Sequence, residues 1–407
     1  MEKKRVLIVT QYFYPEDFRI TDFAVYLSEQ GFFVDVLTSI PNYPKGHFFQ
    51  GYGIFAKRKE QYKGINIIRA FQFPRGGARP SFIRLSINYL SYAFCASILA
   101  FVFALFRKKY DSIMVFQTSP VTQAIPAVIY SKLKKTPVYT WVQDVWPDSV
   151  ISTIGPDKKH KFIENSLFAV TEWIYKNSKR IMVSSEGMIP LVNRKNDYYY
   201  KTLYVPNWCD DFLVSPLTQV SEVKKGFTIM MAGNLADGIG VNEVIELVEA
   251  LRDTENVSFV FVGGGAEENF LRESFEKRGL KNVVMTGRRP FAEMPSFYAQ
   301  ADAMLLSLKP TKLKHLQATV PSRFQSYLAA GKPVLAMIDG DTYNIIHKYD
   351  CGYAVPSGQY KKLADYIKNV VLRNTVEFSK KGNNGRQLYL DKFTPKKVCK
   401  QLTDIIL

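Results

Sequence analysis

The sequence is poor in the residues that staple or metallate small folds. Its four cysteines, Cys95, Cys209, Cys351 and Cys399, are far apart and form no CxxC pair, so neither a disulfide framework nor a zinc site is suggested. Its four histidines, His47, His160, His315 and His347, are equally scattered, with none at helical ligand spacing, so a histidine-built metal centre is not expected. No GxxxxGK[ST] loop and no complete GxGxxG fingerprint occurs, which argues against a P-loop ATPase and an ordinary dinucleotide dehydrogenase. The opening MEKKRVLIVT reads as a buried first strand, not as a secretory signal.

What the chain has is apolar residues and positive charge. Of its 407 residues 47% are hydrophobic, enough for a full core, and the length suits two domains better than one. The 54 Lys and Arg against 37 Asp and Glu give a formal charge of +17, which points to anionic partners. The excess is concentrated between Lys57 and Lys109, where Glu60 is the single acid. Those basic residues bracket an uncharged run from Leu85 to Phe106, a pattern closer to a membrane-surface footing than to a nucleic-acid groove. As a helix the run would extend about 33 Å. It reads first as a core or groove-lining helix; dipping into the membrane interface and a true span are the alternatives.

Short apolar runs alternate with helical stretches throughout, the pattern of a parallel sheet covered on both faces. Strands are expected at 5–10, 33–38, 65–70, 112–117, 137–142, 180–185 and 202–207. After a polar stretch at 215–226, read as the linker, they restart at 227–234, 258–265, 283–288, 303–308, 333–338 and 352–357. The fold class is therefore α/β, two doubly wound Rossmann-like domains facing a cleft, and ligands are expected beyond the carboxyl ends of the strands.

Several strands of the second half end on glycine: Gly233, then Gly263 to Gly265, then Gly287. Glycine lets backbone amides approach a phosphate. Further on, TVPSRFQSYLAAGKPVLAMIDGD (319–341) predicts a turn at Thr319 to Ser322, a helix over 324–330 and Gly331 as its cap. An anionic leaving group at that helix start would meet free amides, the hydroxyls of Thr319 and Ser322, and Arg323. Asp339 and Asp341 form a DGD triplet, which reads as turn chemistry and not as a metal site.

The run 319–336, with PFAEMPSFYAQADAMLLSLK (290–309) before it, resembles the nucleotide-sugar domain of retaining glycosyltransferases of family four. QYFYPEDF (11–18), IPNYPKGHFFQGY (40–52), YLSYAF (89–94), VQDVWPDS (142–149) and VPNWCDD (205–211) are similar to its bacterial surface-polysaccharide subgroup, typified by L-fucosamine transferases. The resemblance implies the glycosyltransferase B fold, with an acceptor domain at 1–212, a nucleotide-sugar domain at 213–394, and a final helix at 395–407 that crosses back. It also implies a retaining, metal-independent transfer from a UDP-sugar to a polyprenyl-diphosphate-linked saccharide, with an N-acetylated or deoxy sugar as the expected donor. The enzyme would be cytoplasmic and peripheral to the inner membrane, with no cofactor and no nucleic-acid partner.

The expected catalytic residues are Asp144, Arg323 and Lys309. Donor contacts are expected from Gly233, Asn234, Gly263, Arg288, Arg289, Thr319, Val320, Pro321, Ser322 and Ser326, and acceptor contacts from Glu16, Asp17, Tyr43 and Trp146. The chain departs from the family at two pairs. The usual Arg and Lys of the first loop of the second domain fall on Asn234 and Ile239, and the two glutamates before the AxG turn fall on Ala318 and Ser326. Positive charge must then come from Arg288, Arg289, Lys309 or Arg323. The other classes to weigh are a nucleotide-sugar 2-epimerase of the same fold and an inactive sugar-nucleotide-binding homologue.

Overall fold

A computed structural model describes residues 3–77, 80–154, 161–214, 217 and 226–407. The chain divides into two compact units, Met1–Val205 with Cys399–Leu407, and Pro206–Val398.

In the first unit the elements run β1 (Arg5–Val9), α1 (Arg19–Glu29), β2 (Phe33–Ser39), β3 (Lys59–Tyr62), β4 (Ile65–Ala70), α2 (Phe82–Phe106), β5 (Ser112–Gln117), α3 (Ile125–Lys134), β6 (Val138–Val142), α4 (Asp148–Ile154), α5 (Lys161–Asn177), β7 (Arg180–Val183), α6 (Met188–Val192) and β8 (Thr202–Tyr204). Their sheet has the order β3-β4-β2-β1-β5-β6-β7-β8. Its strands are parallel except β3, which pairs antiparallel with β4 at the edge. β3 (KEQY) is the strand the sequence does not announce, because a half-exposed polar edge strand carries no apolar run. The central strands are buried on both faces and do announce themselves.

The second unit runs β9 (Phe227–Ala232), α7 (Val241–Ala250), β10 (Val257–Val262), α8 (Glu268–Lys277), β11 (Val283–Gly287), α9 (Met294–Gln300), β12 (Ala303–Ser307), α10 (Lys314–Gln317), α11 (Ser322–Ala329), β13 (Val334–Met337), α12 (Asp341–Lys348), β14 (Gly352–Val355), α13 (Tyr360–Tyr366) and α14 (Thr375–Lys392). The sheet order is β11-β10-β9-β12-β13-β14, all parallel. Two apolar clusters cover its faces, one around Phe259, Leu247 and Leu305, the other around Phe324, Tyr327 and Tyr389.

The division between units falls at Val205/Pro206 and not at 212/213. Residues 206–212 belong to the second unit because Cys209 is hydrogen-bonded on both sides: its N–H donates to Phe393 O (3.1 Å) and its carbonyl accepts the Tyr389 hydroxyl (2.9 Å). Arg386 adds a two-nitrogen grip on the Asp211 carboxylate. The linker expected at 215–226 lies almost wholly outside the described residues. The last helix, α15 (Pro395–Ile406), starts in the second unit and ends in the first, where Gln401 Nε2 donates to Tyr204 O (3.0 Å) and Lys4 Nζ to Leu407 O (2.8 Å).

Helix α2 absorbs the long uncharged run. It is long and apolar enough to cross a membrane, yet it packs on the domain along its length through Asn88, Tyr92, Ala93, Ala96, Ala100 and Ala104. Tyr92 pins it by donating to the carbonyls of Thr10 (3.0 Å) and Leu37 (3.1 Å). Its outward side repeats apolar residues at steps of three and four: Ile83, Ile87, Leu90, Phe94, Ile98, Phe101 and Leu105, all well exposed.

Candidate active site

In the second unit the strand order reverses between β9 and β12, so the loops leaving these two strands flank the switch point. The glycines there serve close backbone approach. Gly233 N–H donates to Val262 O and Gly263 N–H to Gly287 O, both at 2.9 Å, which ties three strand ends together. Gly263 stands at φ +145°, and a Cβ on it would lie 2.0 Å from Gly233 O, so only glycine fits.

Arg323, in the first turn of α11, comes to this loop. Its Nη2 donates to Asn234 O (2.6 Å), and its guanidinium carbon lies 3.6 Å from where Gly233 would carry a Cβ. Its Nη1 is buried and has no hydrogen-bond partner among the described residues. One turn on, Tyr327 fixes the helix to the end of β9: its hydroxyl accepts Ala232 N–H and donates to Ala232 O, both at 3.0 Å. Burial pushes the Tyr327 phenol up, with the nearby Arg323 charge pulling the other way. Lys309 reaches the far end of the same loop. Its N–H donates to Gly238 O (2.9 Å), and its backbone would lie 3.3 Å from a Cβ on Gly240. With Glu243, Glu267 and Phe270 it lines a pocket of about 200 Å³.

The loop thus receives the Arg323 guanidinium at Asn234 and the Lys309 backbone at Gly238 and Gly240, around positions 234 and 239, where the resembled glycosyltransferases carry Arg and Lys. Ile239 itself is buried, as is Ala318. Arg288 also joins the group, its side chain lying over Gly264 beside Glu268. Arg289 does not: it sits 4.0 Å from Glu293 and over the Phe297 ring (5.7 Å). At the start of α11 Thr319 and Ser322 are exposed, Val320 packs against the core, and Pro321 caps the helix without a side-chain bond. The Thr319 hydroxyl donates to His315 O (3.0 Å). Ser326 spends its hydroxyl within the unit, on Cys209 Sγ (3.3 Å) and Ser322 O (3.4 Å). Asp339 of the DGD triplet accepts Ser357 N–H (3.3 Å), and the described residues contain no metal-holding cluster of His, Cys, Asp and Glu.

In the first unit the order reverses between β1 and β5. Asp144, just past β6, is held there by the loop after β5: its Oδ2 accepts both Ser119 N–H (2.9 Å) and the Ser119 hydroxyl (2.8 Å). The Ser119 hydroxyl in turn accepts Trp146 Nε1–H (3.0 Å), so the residues expected separately as Asp144 and Trp146 form one chain through a serine that the sequence does not single out. Ser119 closely follows an expected strand, and the strand-end rule could have found it. Gln123 bridges the two loops, accepting Gln11 N–H (2.8 Å) while donating to the carbonyls of Thr118 (2.8 Å) and Pro120 (2.9 Å).

Glu16 sits differently from its sequence assignment. It is buried, and its Oε1 accepts the N–H groups of Asn42 (2.8 Å) and Tyr43 (2.7 Å), so the carboxyl anchors the 42–43 turn. Burial pushes it up to about 7, against the pull of those backbone donors. Asp17 is exposed. Tyr43 packs at 5.6 Å against both Tyr12 and Phe18 and carries the Arg75 guanidinium over its ring (5.1 Å). Tyr89 lies within electrostatic reach of Tyr12, Arg75 and Asp144, and has its phenol pushed up by burial.

Residues 218–387 match the family model described as Glycosyl transferases group 1. Among curated proteins the chain is 21% identical over 318 residues, 75% of each chain, to WcaI of Escherichia coli (strain K12), whose name provisionally assigns it as a colanic acid biosynthesis glycosyl transferase. Among solved structures it is similar to HepE of Anabaena in complex with UDP, at 16% identity and TM-score 0.70 over 99% of both chains. HepE with UDP-glucose matches at 15% identity and TM-score 0.66 over 98% of both chains. WaaG, a glycosyltransferase involved in lipopolysaccharide biosynthesis, matches at 15% identity and TM-score 0.63 over 98% of this chain and 99% of its own. The chain therefore has the two-domain glycosyltransferase B fold, and the match to the glycosyl transferases group 1 model lies over residues 218–387, almost wholly in its second unit.

Proposed function

We propose that the protein is a retaining glycosyltransferase that moves a sugar from a UDP-sugar onto a polyprenyl-diphosphate-linked saccharide at the cytoplasmic face of the membrane, in surface-polysaccharide synthesis. The observation that carries this reading is the Arg323 guanidinium at the glycine loop, donating to Asn234 O beside Gly233, with Lys309 tied by its backbone to the far end of the same loop. A departing diphosphate needs positive charge where its own charge grows, and fixed donors outside bulk water supply it at no reorganisation cost. UDP and UDP-glucose bound to HepE support a uridine nucleotide as the donor's leaving group. The likeness to L-fucosamine transferases supports an N-acetylated or deoxy sugar.

In this reaction the bond from the anomeric carbon to the diphosphate oxygen breaks, and the acceptor oxygen bonds to that carbon on the same face. The acceptor's hydroxyl proton passes to the departing phosphate oxygen. Neither a metal nor another cofactor is required, because Arg323, Lys309 and Arg288 take the leaving group's charge. Asp144 orients a sugar hydroxyl: Ser119 holds one of its oxygens, and Oδ1 makes no hydrogen bond among the described residues. The lipid and the basic-flanked apolar helix α2 belong together in this reading, with the outward side of α2 against the bilayer interface.

Incubation with a panel of UDP- and GDP-sugars and membrane lipid extract, with and without chelator, tests it. Lipid-linked product from a UDP-sugar, undiminished by chelator, is expected. Free epimerised nucleotide sugar, or binding without turnover, would assign the chain to one of the other two classes.

A further inference from the structure

The first unit contains a cavity of about 400 Å³ whose wall is almost entirely apolar. It is lined by Leu85 and Tyr89 of α2, Pro120 and Trp146 of the strand-end loops, Val150 of α4 and Leu167 of α5. Its size is that of a small-molecule site. No side chain of the glycosyl-transfer chemistry needs an apolar hole, and a sugar ring would leave its hydroxyls unpaired there. The cavity nevertheless adjoins that chemistry, because Ser119 and Trp146, two of its lining residues, are the chain that holds Asp144.

Two further features say what occupies it. Leu90 lines the cavity and is also 60% exposed on α2, where it is one member of the outward stripe from Ile83 to Leu105. The cavity wall and the stripe are thus one continuous apolar surface. Tyr89, also in the wall, neighbours Tyr12, and Tyr12 packs against Tyr43 (5.6 Å), whose ring carries the Arg75 guanidinium (5.1 Å). An apolar hole open toward an apolar helix face, with a guanidinium reached through the tyrosines beyond its polar wall, matches an amphiphile with an anionic head.

We infer that this cavity binds the hydrocarbon segment next to the diphosphate of the acceptor, with Arg75 meeting the diphosphate and the stripe on α2 leading the rest of the chain into the membrane. The inference rests on the proposed lipid-linked acceptor and adds the place where its lipid is recognised: the enzyme reads the chain itself and does not merely tolerate it.

The test is calorimetric titration of the full chain, in detergent-free buffer, with geranyl diphosphate and with inorganic diphosphate. Geranyl diphosphate should bind at least about tenfold more tightly, since burying even a few methylenes is worth that factor. Val150→Trp and Ser86→Phe fill the cavity from opposite walls, and each should abolish the difference while the circular dichroism spectrum and melting temperature stay near those of the wild type. Arg75→Ala should weaken geranyl diphosphate about tenfold through the lost charge-assisted contact. Equal binding of the two probes, or geranyl diphosphate affinity unchanged in both filled variants, would overturn the inference. If the probe binds as expected while no lipid-linked sugar is glycosylated, the cavity assignment stands and the proposed acceptor falls.

Discussion

At the switch point of the second unit, glycines bring three strand ends together and Arg323 and Lys309 reach the same loop. At the switch point of the first unit the corresponding loops are closed over a buried carboxyl, amide side chains and phenols, with an apolar cavity alongside. One doubly wound plan therefore produces two kinds of surface. The second unit gathers glycine backbone and the Arg323 guanidinium at its strand ends; the first ties its loops together through buried polar side chains and exposes aromatic and aliphatic surface. The contrast teaches that the shared sheet topology decides where ligands go, and the side chains at the strand ends decide which chemistry is received.

Substitutions in one unit should therefore disturb one ligand and spare the other. The largest effect is expected from Gly263→Ala: the added Cβ collides with Gly233 O, and the backbone conformation alone costs about 1–3 kcal/mol. Melting temperature should drop and UDP binding should be lost in calorimetry; retention of both would break the account of the cradle. Arg323→Ala should lower kcat by at least about tenfold through the loss of a charge-assisted contact to the leaving group, and unchanged kinetics would remove it from the site. Asp144→Asn should lower turnover by roughly tenfold, as for loss of one charge-assisted hydrogen bond to the sugar, while leaving UDP affinity unchanged. A matching loss of UDP affinity would erase the distinction between the two units.

The smallest effect concerns stability. Glu16 has its folded pKa raised to about 7 from 4.5, so between those values the folded state holds a proton that the unfolded chain has released. Its contribution is complete below the unfolded value and is lost as pH rises through about 7. Melting temperature measured from pH 5 to pH 8 should fall more in the wild type than in Glu16→Gln; parallel profiles would show that the carboxyl is not held protonated.

Much of this organisation was readable in the sequence. Strands buried on both faces are unbroken apolar runs, and the wound topology follows from their alternation with helices. Arg323 was legible because it follows a proline-serine turn into a helix start, and Gly263 because it ends a strand. What remained hidden depends on partners distant in sequence. An acid in a loop reads as solvent-facing, and nothing near Glu16 reveals that the backbone of 42–43 will close on its carboxyl. Arg289 is indistinguishable from Arg288 in sequence; only packing sends one to Glu293 and the other to Gly264. The sequence puts the boundary at 212/213 and not at Val205/Pro206 because nothing near Asp211 reveals that its carboxylate is claimed by Arg386, far along the chain.

The central claim is that Arg323 supplies the charge that a first-loop arginine supplies in the resembled glycosyltransferases. Calorimetric titration of UDP into the wild type, Arg323→Ala and the double variant Arg323→Ala/Asn234→Arg tests it most directly. The account predicts that affinity falls about tenfold in the single variant, as for loss of one charge-assisted hydrogen bond, and is largely restored in the double variant. Equal UDP affinity in the wild type and Arg323→Ala would contradict it.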